Sequence, residues 1–319
     1  MKIAIIGVGY WGNKHVEELN ALGITPIICD ANKENIKACM EKFKVSHVED
    51  FEQILNDKTI EAVIICLPNE LHFEFAKRAL ESGKHVLVEK PITVKYKDGV
   101  HLVDIAEKNG KILSVGHIFR FNNAIREIKN FITNDDFGEI YMAKLSWTNL
   151  ESPFERDIIF DLATHPFDIL YYLFDKFPDE ISCVGEGYRV DGKEAIFINS
   201  KIGKILVNFE LNYLSPERKR ELMVIGEKMS VKVDCISQEI DKYLHTNDIS
   251  YGRTRKSTMN KIVLIKNNAL REELKNFIDS INGDAKNTNS GKECAEVVRM
   301  LQLSRKSADE RRKIVIERD

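Results

Sequence analysis

Lys2-Ile3-Ala4-Ile5-Ile6-Gly7-Val8-Gly9-Tyr10-Trp11-Gly12 decides how this chain is read. Its first five residues are a short apolar, β-rich run that leads straight into a G-x-G-x-x-G. A helical pattern follows from about Trp11 to Leu22, and a second apolar run, Ile24 to Cys29, ends in Asp30. Strand, glycine turn, helix, strand and acid, in that order, are the parts of a dinucleotide-binding βαβ unit. Gly7 lets the chain turn sharply out of the strand. Gly9 has no Cβ, so a pyrophosphate can reach the backbone, and Gly12 lets the helix pack close to the strand. The free N–H groups at the helix start, around Tyr10 and Trp11, and the positive end of its dipole then face the diphosphate. Asp30 is placed to accept hydrogen bonds from the adenosine ribose and to repel a 2′-phosphate. No arginine stands beside it. NAD is therefore expected ahead of NADP, although Lys33 is close by.

The next 90 residues continue the alternation. Ala62-Val63-Ile64-Ile65-Cys66 is a continuous apolar run, as in a strand buried on both faces. His85 to Val88 and Ile112 to Val115 read as further strands, with helices from Leu71 to Ser82 and Lys95 to Lys108. Repeated βα units predict a doubly wound parallel sheet. Ligands of such sheets lie beyond the carboxyl ends of the strands. Three strand ends qualify here: Cys66-Leu67-Pro68-Asn69, Glu89-Lys90-Pro91 and Gly116-His117.

After about Asn122 the pattern changes. In Lys204 to Leu214, Ile205, Val207, Phe209, Leu211 and Tyr213 fall on one face. Glu139 to Thr148, Ala195 to Ile202, Glu221 to Ile225 and Ser230 to Cys235 read similarly. The expectation is an open antiparallel sheet with one covered face. Its other face mixes polar and apolar residues, Leu206 among them, which would suit a homodimer or homotetramer contact. Tyr243 to Lys261, with Arg253, Arg255 and Lys256, reads as a solvated loop, with phosphate contact as the alternative. Helices Leu270 to Asn282 and Lys292 to Ala308 close the chain. The predicted organisation is an α/β protein: a Rossmann domain over 1–120 and a substrate-binding and oligomerisation domain over 121–319. The terminal helices have the option of packing back on the first domain.

A chain of 319 residues with 43% apolar content can build two ordinary cores. Lys+Arg (47) and Asp+Glu (50) nearly cancel, leaving a net charge of −3. That balance provides no nucleic-acid footprint and no basic membrane patch. No segment is long enough to span a membrane and no signal peptide is apparent, so a cytoplasmic protein is expected. Six cysteines stand singly, without a C-x-x-C or a Cys/His cluster, so no metal site or disulfide framework is expected. Cys29 and Cys66 read as core thiols.

Two further patches carry chemistry. In Asp161-Leu162-Ala163-Thr164-His165-Pro166-Phe167-Asp168, Asp161 and His165 are four apart and share a face if the segment is helical. Histidine is the natural proton acceptor in alcohol oxidation near neutral pH, and a carboxylate can orient it. Pro166 requires the helix to start nearby, because proline is tolerated only in a first turn. The bland alternative is a capping aspartate and a core-edge histidine. Glu89-Lys90-Pro91 offers a lysine able to hold a substrate oxygen and stabilise an alkoxide, against the alternative of a solvated turn. Gly116-His117-Ile118-Phe119-Arg120-Phe121-Asn122 lies where the domains join.

Taken together, these motifs resemble the Gfo/Idh/MocA oxidoreductases, named for glucose–fructose oxidoreductase, inositol dehydrogenase and a rhizopine-catabolism protein. The resemblance covers nearly the whole chain. Its carriers are Gly7 to Gly12, Leu67-Pro68-Asn69 with His72, Glu89-Lys90-Pro91, Asp161-x-x-x-His165, and Ser304 to Ala308 before Ile314-Val315-Ile316. It implies Lys90 beside the nicotinamide and the reacting carbon, His165 as general base, and Asp161 as an orienting or cofactor-contacting acid. Leu67, Pro68, Asn69, His72 and Glu89 would line the cofactor, and a cis peptide would precede Pro91. Many members carry glycines where this chain has Asp157-Ile158-Ile159-Phe160 and Ala163, so the local backbone is expected to differ. Gly116-His117 with Arg120-Phe121-Asn122 is most similar to the nucleotide-sugar members, such as the UDP-N-acetylglucosamine 3-dehydrogenases, and makes His117 and Arg120 substrate-binding candidates. The implied activity is NAD-dependent oxidation of a sugar ring hydroxyl to a ketone. The alternatives are an inositol or free-sugar dehydrogenase, transient redox during group removal, and a non-catalytic dinucleotide-sensing regulator.

Overall fold

A computed structural model describes residues 1–151, 157–250 and 254–317. The chain divides into two compact units. The first comprises Met1–Ile118 and Asn268–Arg299, the second Phe119–Asn267 and Met300–Asp319.

In the first unit, strands β1 (Lys2–Ile6), β2 (Ile27–Cys29), β3 (Ser46–His47), β4 (Ile60–Ile65), β5 (His85–Val88) and β6 (Leu113–Val115) form one parallel sheet. Their order is β3-β2-β1-β4-β5-β6. Helices α1 (Tyr10–Ala21), α2 (Lys33–Phe43), α3 (Phe51–Asn56), α4 (His72–Glu81) and α5 (Tyr96–Lys108) connect them. β1 and β4 are buried along nearly their whole length, which explains why both read as unbroken apolar runs. The order reverses between β1 and β4, and the glycine turn leaves β1 at that switch point, where α/β sheets bind ligands. Asn32 and Asp50 cap α2 and α3 through their side chains.

The core of this unit is completed by a distant segment. Leu270, Leu274 and Phe277 pack with Val16, Leu19 and Ile28. Their spacing is one face of helix α8 (Ala269–Asn282), capped by Asn268. The next helix, α9 (Gly291–Glu310), starts in the first unit; from Met300 on its residues belong to the second. The expected boundary at 120/121 therefore has to yield Asn268–Arg299 to the first unit.

The second unit holds α6 (Asn123–Thr133), α7 (Thr164–Phe174) and a nine-stranded sheet. Its strands are β7 (Ile140–Leu150), β8 (Glu180–Glu186), β9 (Ala195–Ile202), β10 (Ile205–Asn212), β11 (Leu214–Gly226), β12 (Met229–Asp234), β13 (Glu239–Ser250), β14 (Thr254–Ile262) and β15 (Ile314–Val315). The order is β14-β13-β12-β11-β7-β10-β9-β8-β15. Val207, Phe209, Leu211 and Tyr213 are buried on one face, as the alternation predicts. Met142, Val184, Phe197, Leu206 and Met259 are exposed.

The sheet is largely antiparallel, as expected, with one parallel pair among the described strands: β10 runs alongside β7, with Val207 opposite Ala143 and Leu211 opposite Trp147. Such a pair needs a long crossover rather than a hairpin. Chain order alone does not disclose it. Tyr243 to Lys261 is not a loop but the greater part of the β13–β14 hairpin, paired from Ile240↔Ile262 to Ser250↔Thr254. Lys256 lies on β14. Arg253 and the Arg255 side chain fall outside the described residues. Nearly all of β14 from Lys256 to Lys261 is exposed, so it lacks the buried alternation by which a strand is recognised.

Candidate active site

The glycine turn is shaped by its neighbours. Gly7 has φ +86°, and a Cβ there would lie 2.5 Å from the Cys66 carbonyl oxygen. A Cβ on Gly12 would run into the Gly7 carbonyl. Around Gly9, by contrast, a Cβ would meet no atom within 4 Å, so this backbone faces open space. The residues thus fit a cradle for a diphosphate at the start of α1, with Tyr10 and Trp11 exposed beside it. Asp30 is fixed by the backbone: Val8 N–H donates to Oδ2 at 2.7 Å and Asn32 N–H to Oδ1 at 2.7 Å. A cleft of about 440 Å³ opens beside it, bordered by Lys33, Lys37 and Met40.

Past β4, Leu67 and Asn69 are half-buried and Pro68 is exposed. His72 is fully buried. Its Nδ1 lies 2.8 Å from the Pro91 carbonyl oxygen and its Nε2 2.8 Å from that of Leu67. It therefore ties the turn after β4 to the turn after β5. Burial lowers its pKa, only partly offset by those two carbonyls. The Lys90–Pro91 peptide is cis, and Lys90 is half-buried.

Glu89 had a partner that spacing could not supply. Its Oε1 lies 2.8 Å from Nε2 of His15, which is buried on α1, 74 residues earlier. Its Oε2 accepts the Lys90 N–H at 3.2 Å. A Cβ on Gly116 would come within 2.9 Å of that oxygen, so the glycine leaves room for the carboxylate. Burial pushes the Glu89 carboxyl up; His15, then Lys90, outweigh it and hold it below the usual carboxylate value. Cys66 stands just past β4 rather than in it, and burial followed by the Glu89 and Glu273 charges pushes its thiol well up. Cys29 is buried at the end of β2. His117 is buried, and its carbonyl accepts from Asn289 Nδ2 at 3.3 Å.

In the second unit, Asp161 lies in a π-helical turn, Ile159–Ala163, that runs directly into α7. Pro166 is the third residue of α7 and has no N–H for the preceding turn. A wider turn just upstream accommodates that loss. Asp157 Oδ1 accepts from Ile159 N–H at 3.0 Å and Thr164 Oγ1 donates to the Phe160 carbonyl at 3.0 Å, which fixes both ends. Residues four apart share one side of such a turn. Asp161 and His165 do so, and both are half-buried. Asp161 Oδ2 accepts a hydrogen bond from the Tyr213 hydroxyl at 2.8 Å. The His165 ring meets Phe119 edge-on, with centroids 5.0 Å apart, and Phe119 meets Trp147 at 5.4 Å. The alternation of Lys204 to Leu214 marks Tyr213 as a residue of the covered face; its hydroxyl is what relates it to Asp161.

Arg120 is tied to α7. It is 2% exposed, and its Nε and Nη2 lie 2.8 and 2.6 Å from Asp168 Oδ1. Asp168 is itself buried, so this arginine has a structural carboxylate partner on α7.

A parallel sheet in Rossmann order with a glycine cradle at its switch point, in a chain whose second unit carries an acid and a histidine at the start of a helix, defines a dinucleotide-binding protein of two units. The chain belongs to the Gfo/Idh/MocA oxidoreductase family. Residues 1–117 match the family model described as oxidoreductase family, NAD-binding Rossmann fold, and residues 125–232 match the GFO/IDH/MocA C-terminal domain. Inositol 2-dehydrogenase of Salmonella typhimurium is 27% identical over 185 residues, 55% of each chain. The chain thus spans about half the length of that curated relative. The 2,7-anhydro-N-acetylneuraminate hydratase of Escherichia coli is 25% identical over 250 residues, 72% of this chain and 66% of that one. Among solved structures, the UDP-N-acetylglucosamine 3-dehydrogenase GnnA of Acidithiobacillus ferrooxidans superposes with a TM-score of 0.87 at 21% identity, covering 97% of this chain and 98% of that one. No helix among the described residues is long and apolar enough to cross a membrane.

Proposed function

We propose that this chain oxidises a secondary ring hydroxyl of a sugar or polyol to a ketone with NAD, and that the sugar is a UDP-N-acetylhexosamine. Bound NAD would supply what the side chains lack, an acceptor for the hydride leaving the carbon. His165 takes the hydroxyl proton, and Asp161, steadied by the Tyr213 hydroxyl, orients the imidazole. Lys90 donates a hydrogen bond to the oxygen and stabilises its developing negative charge. Gly7, Gly9 and Gly12, with Tyr10 and Trp11, hold the diphosphate. Asp30 receives the ribose hydroxyls. Leu67, Pro68, Asn69, His72 and Glu89 form the wall around Lys90. The observation that carries the reading is the Tyr213–Asp161 hydrogen bond on the same side of the π-turn as His165. It leaves the carboxylate oriented rather than solvated.

The test is a panel of UDP-N-acetylglucosamine, myo-inositol and glucose, each with NAD and with NADP, read by absorbance of the reduced cofactor. The expected result is NADH formation with the nucleotide sugar and a preference for NAD of about tenfold or more, because Asp30 would face the 2′-phosphate. Reduction with myo-inositol alone would replace the substrate but keep the chemistry. The hydratase relative favours a second reading, in which hydride is lent and returned. Its signature is conversion of sugar without accumulated NADH.

We also infer that copies of the chain pair through the uncovered face of the nine-stranded sheet. Phe197 and Leu206, exposed there at 47% and 54%, are the apolar centre of that face. A dimer or tetramer is expected by light scattering, and Leu206→Glu should shift it toward monomer. A wild-type protein that is monomeric at micromolar concentration overturns this.

A further inference from the structure

Arg220 on β11 stands directly opposite Trp147 on β7 in an antiparallel pair. Side chains directly opposite in such a pair project from the same face. Trp147 is buried there, and its ring contacts Phe119, which contacts His165. Arg220 therefore belongs to the covered face, at the end that carries the candidate base.

Its guanidinium is half-buried and is satisfied by neutral oxygens only. Nη1 donates to the Thr148 carbonyl at 3.0 Å and the Lys219 carbonyl at 2.7 Å, and Nη2 donates to Asn149 Oδ1 at 3.3 Å. Among the described residues no carboxylate pairs with it. Fully buried Arg120, by contrast, is paired with the Asp168 carboxylate. One carboxylate whose charge reaches it, Glu151, is engaged instead by the Asn149 carboxamide, whose amide end takes the carboxylate while its oxygen faces the arginine. Burial, then the like charge of Arg218, lowers the Arg220 pKa; Asp161, Glu151 and Tyr213 oppose this. A guanidinium is built to receive two oxygens of one anion, and a partly desolvated one without a counter-ion is an incomplete pair.

We propose that Arg220 is the anion-recognising residue of the substrate site, taking a carboxylate or phosphate oxygen of a sugar whose ring hydroxyl is presented to His165. This rests on the reading of His165 given above and narrows it: the substrate is an anionic sugar, and a neutral polyol is disfavoured.

The test is titration calorimetry on the protein with NADH present, using three probes. UDP-N-acetylglucosamine carries the anion as phosphate, glucuronate carries it as carboxylate, and myo-inositol carries none. The wild type should bind one anionic probe more tightly than myo-inositol, and which one identifies the source of the anion. Arg220→Gln should weaken that probe by about 10- to 100-fold and Arg220→Lys by less, with myo-inositol unchanged. Asn149→Asp keeps the arginine but supplies it with a carboxylate, and should weaken the same probe without loss of folding. The inference is overturned if no anionic probe is preferred, if Arg220→Gln and Asn149→Asp leave its affinity unaltered, or if anionic and neutral probes weaken in parallel. Failure of the parent reading looks different: the anion binds through Arg220, yet no probe yields NADH. NADH from myo-inositol without any anion preference removes the present inference alone.

Discussion

Replacing His165 with alanine is expected to lower turnover by about 10²- to 10⁴-fold, the usual contribution of a positioned general base, while NADH affinity stays as it was. The separation of the two effects follows from where the residue stands. His165 is on α7, where its ring meets Phe119 and follows the Asp161 turn. The glycine cradle, Asp30 and the Lys90 turn all belong to the other compact unit. Removing the imidazole therefore takes away a proton acceptor and leaves every residue of the cradle in the chain. The half-buried ring also packs edge-on against an aromatic, so a modest loss of stability is expected alongside. Circular dichroism at the assay temperature separates that loss from chemistry. The measurement that matters is single-turnover NADH formation across pH. A variant that keeps wild-type turnover near neutral pH would show that the proton leaves by another route, and that Asp161 and Tyr213 serve the fold alone.

The second large effect concerns the glycine turn, where two substitutions should fail in different ways. Gly12→Val would set a side chain against the Gly7 carbonyl, with the Cys66 Cβ 3.7 Å away. Backbone cannot swing aside as a flexible side chain can, so α1 must shift from β1. Overpacking of this kind typically costs about 1–3 kcal/mol. The variant should melt lower and lose NADH binding together. Gly9→Ala should keep its melting temperature, because a Cβ there meets nothing within 4 Å. It should nonetheless weaken NADH on the order of 100-fold, because charge-assisted bonds from the backbone to an anion are worth roughly 1.5–3 kcal/mol each. Fluorescence titration of NADH beside thermal unfolding distinguishes the two. If Gly9→Ala binds NADH normally, the diphosphate does not approach the turn at that point.

The first unit was legible because its signals are local. β1, the glycine turn and α1 follow one another within 21 residues, and each obeys its own period. Leu270, Leu274 and Phe277 were equally plain as a helical face, but nothing in their spacing says which core they enter. The second sheet was harder for the same reason. Alternation identified β10, yet its parallel pairing with β7 depends on strands 64 residues apart, as in Ser146 and Glu210. The β13–β14 hairpin was hidden because its exposed strand has no buried face to alternate. At the candidate site, the spacing of Asp161 and His165 could be read directly. Pro166 signalled a helix start but not the π-turn before it. Tyr213 is 52 residues from Asp161 and His15 is 74 from Glu89. Contacts of that range leave no trace in a single sequence. Arg120 shows another long-range partner: the charge of this motif residue is paired with a buried aspartate 48 residues on.

Val16, Leu19 and Phe277 share one core although Phe277 lies far along the chain, and this has a practical bearing on how the gene can be divided. The nucleotide-binding half is not a prefix of the reading frame. Its last layer, α8, is translated only after the entire nine-stranded sheet except β15. On the ribosome the first 118 residues must wait, with the apolar flank of α1 uncovered, until residue 277 has emerged. A fragment cut at the apparent border would remain permanently in that unfinished condition. An excision that joins Ile118 to Asn268 through a short linker preserves the layer, and with it the natural module.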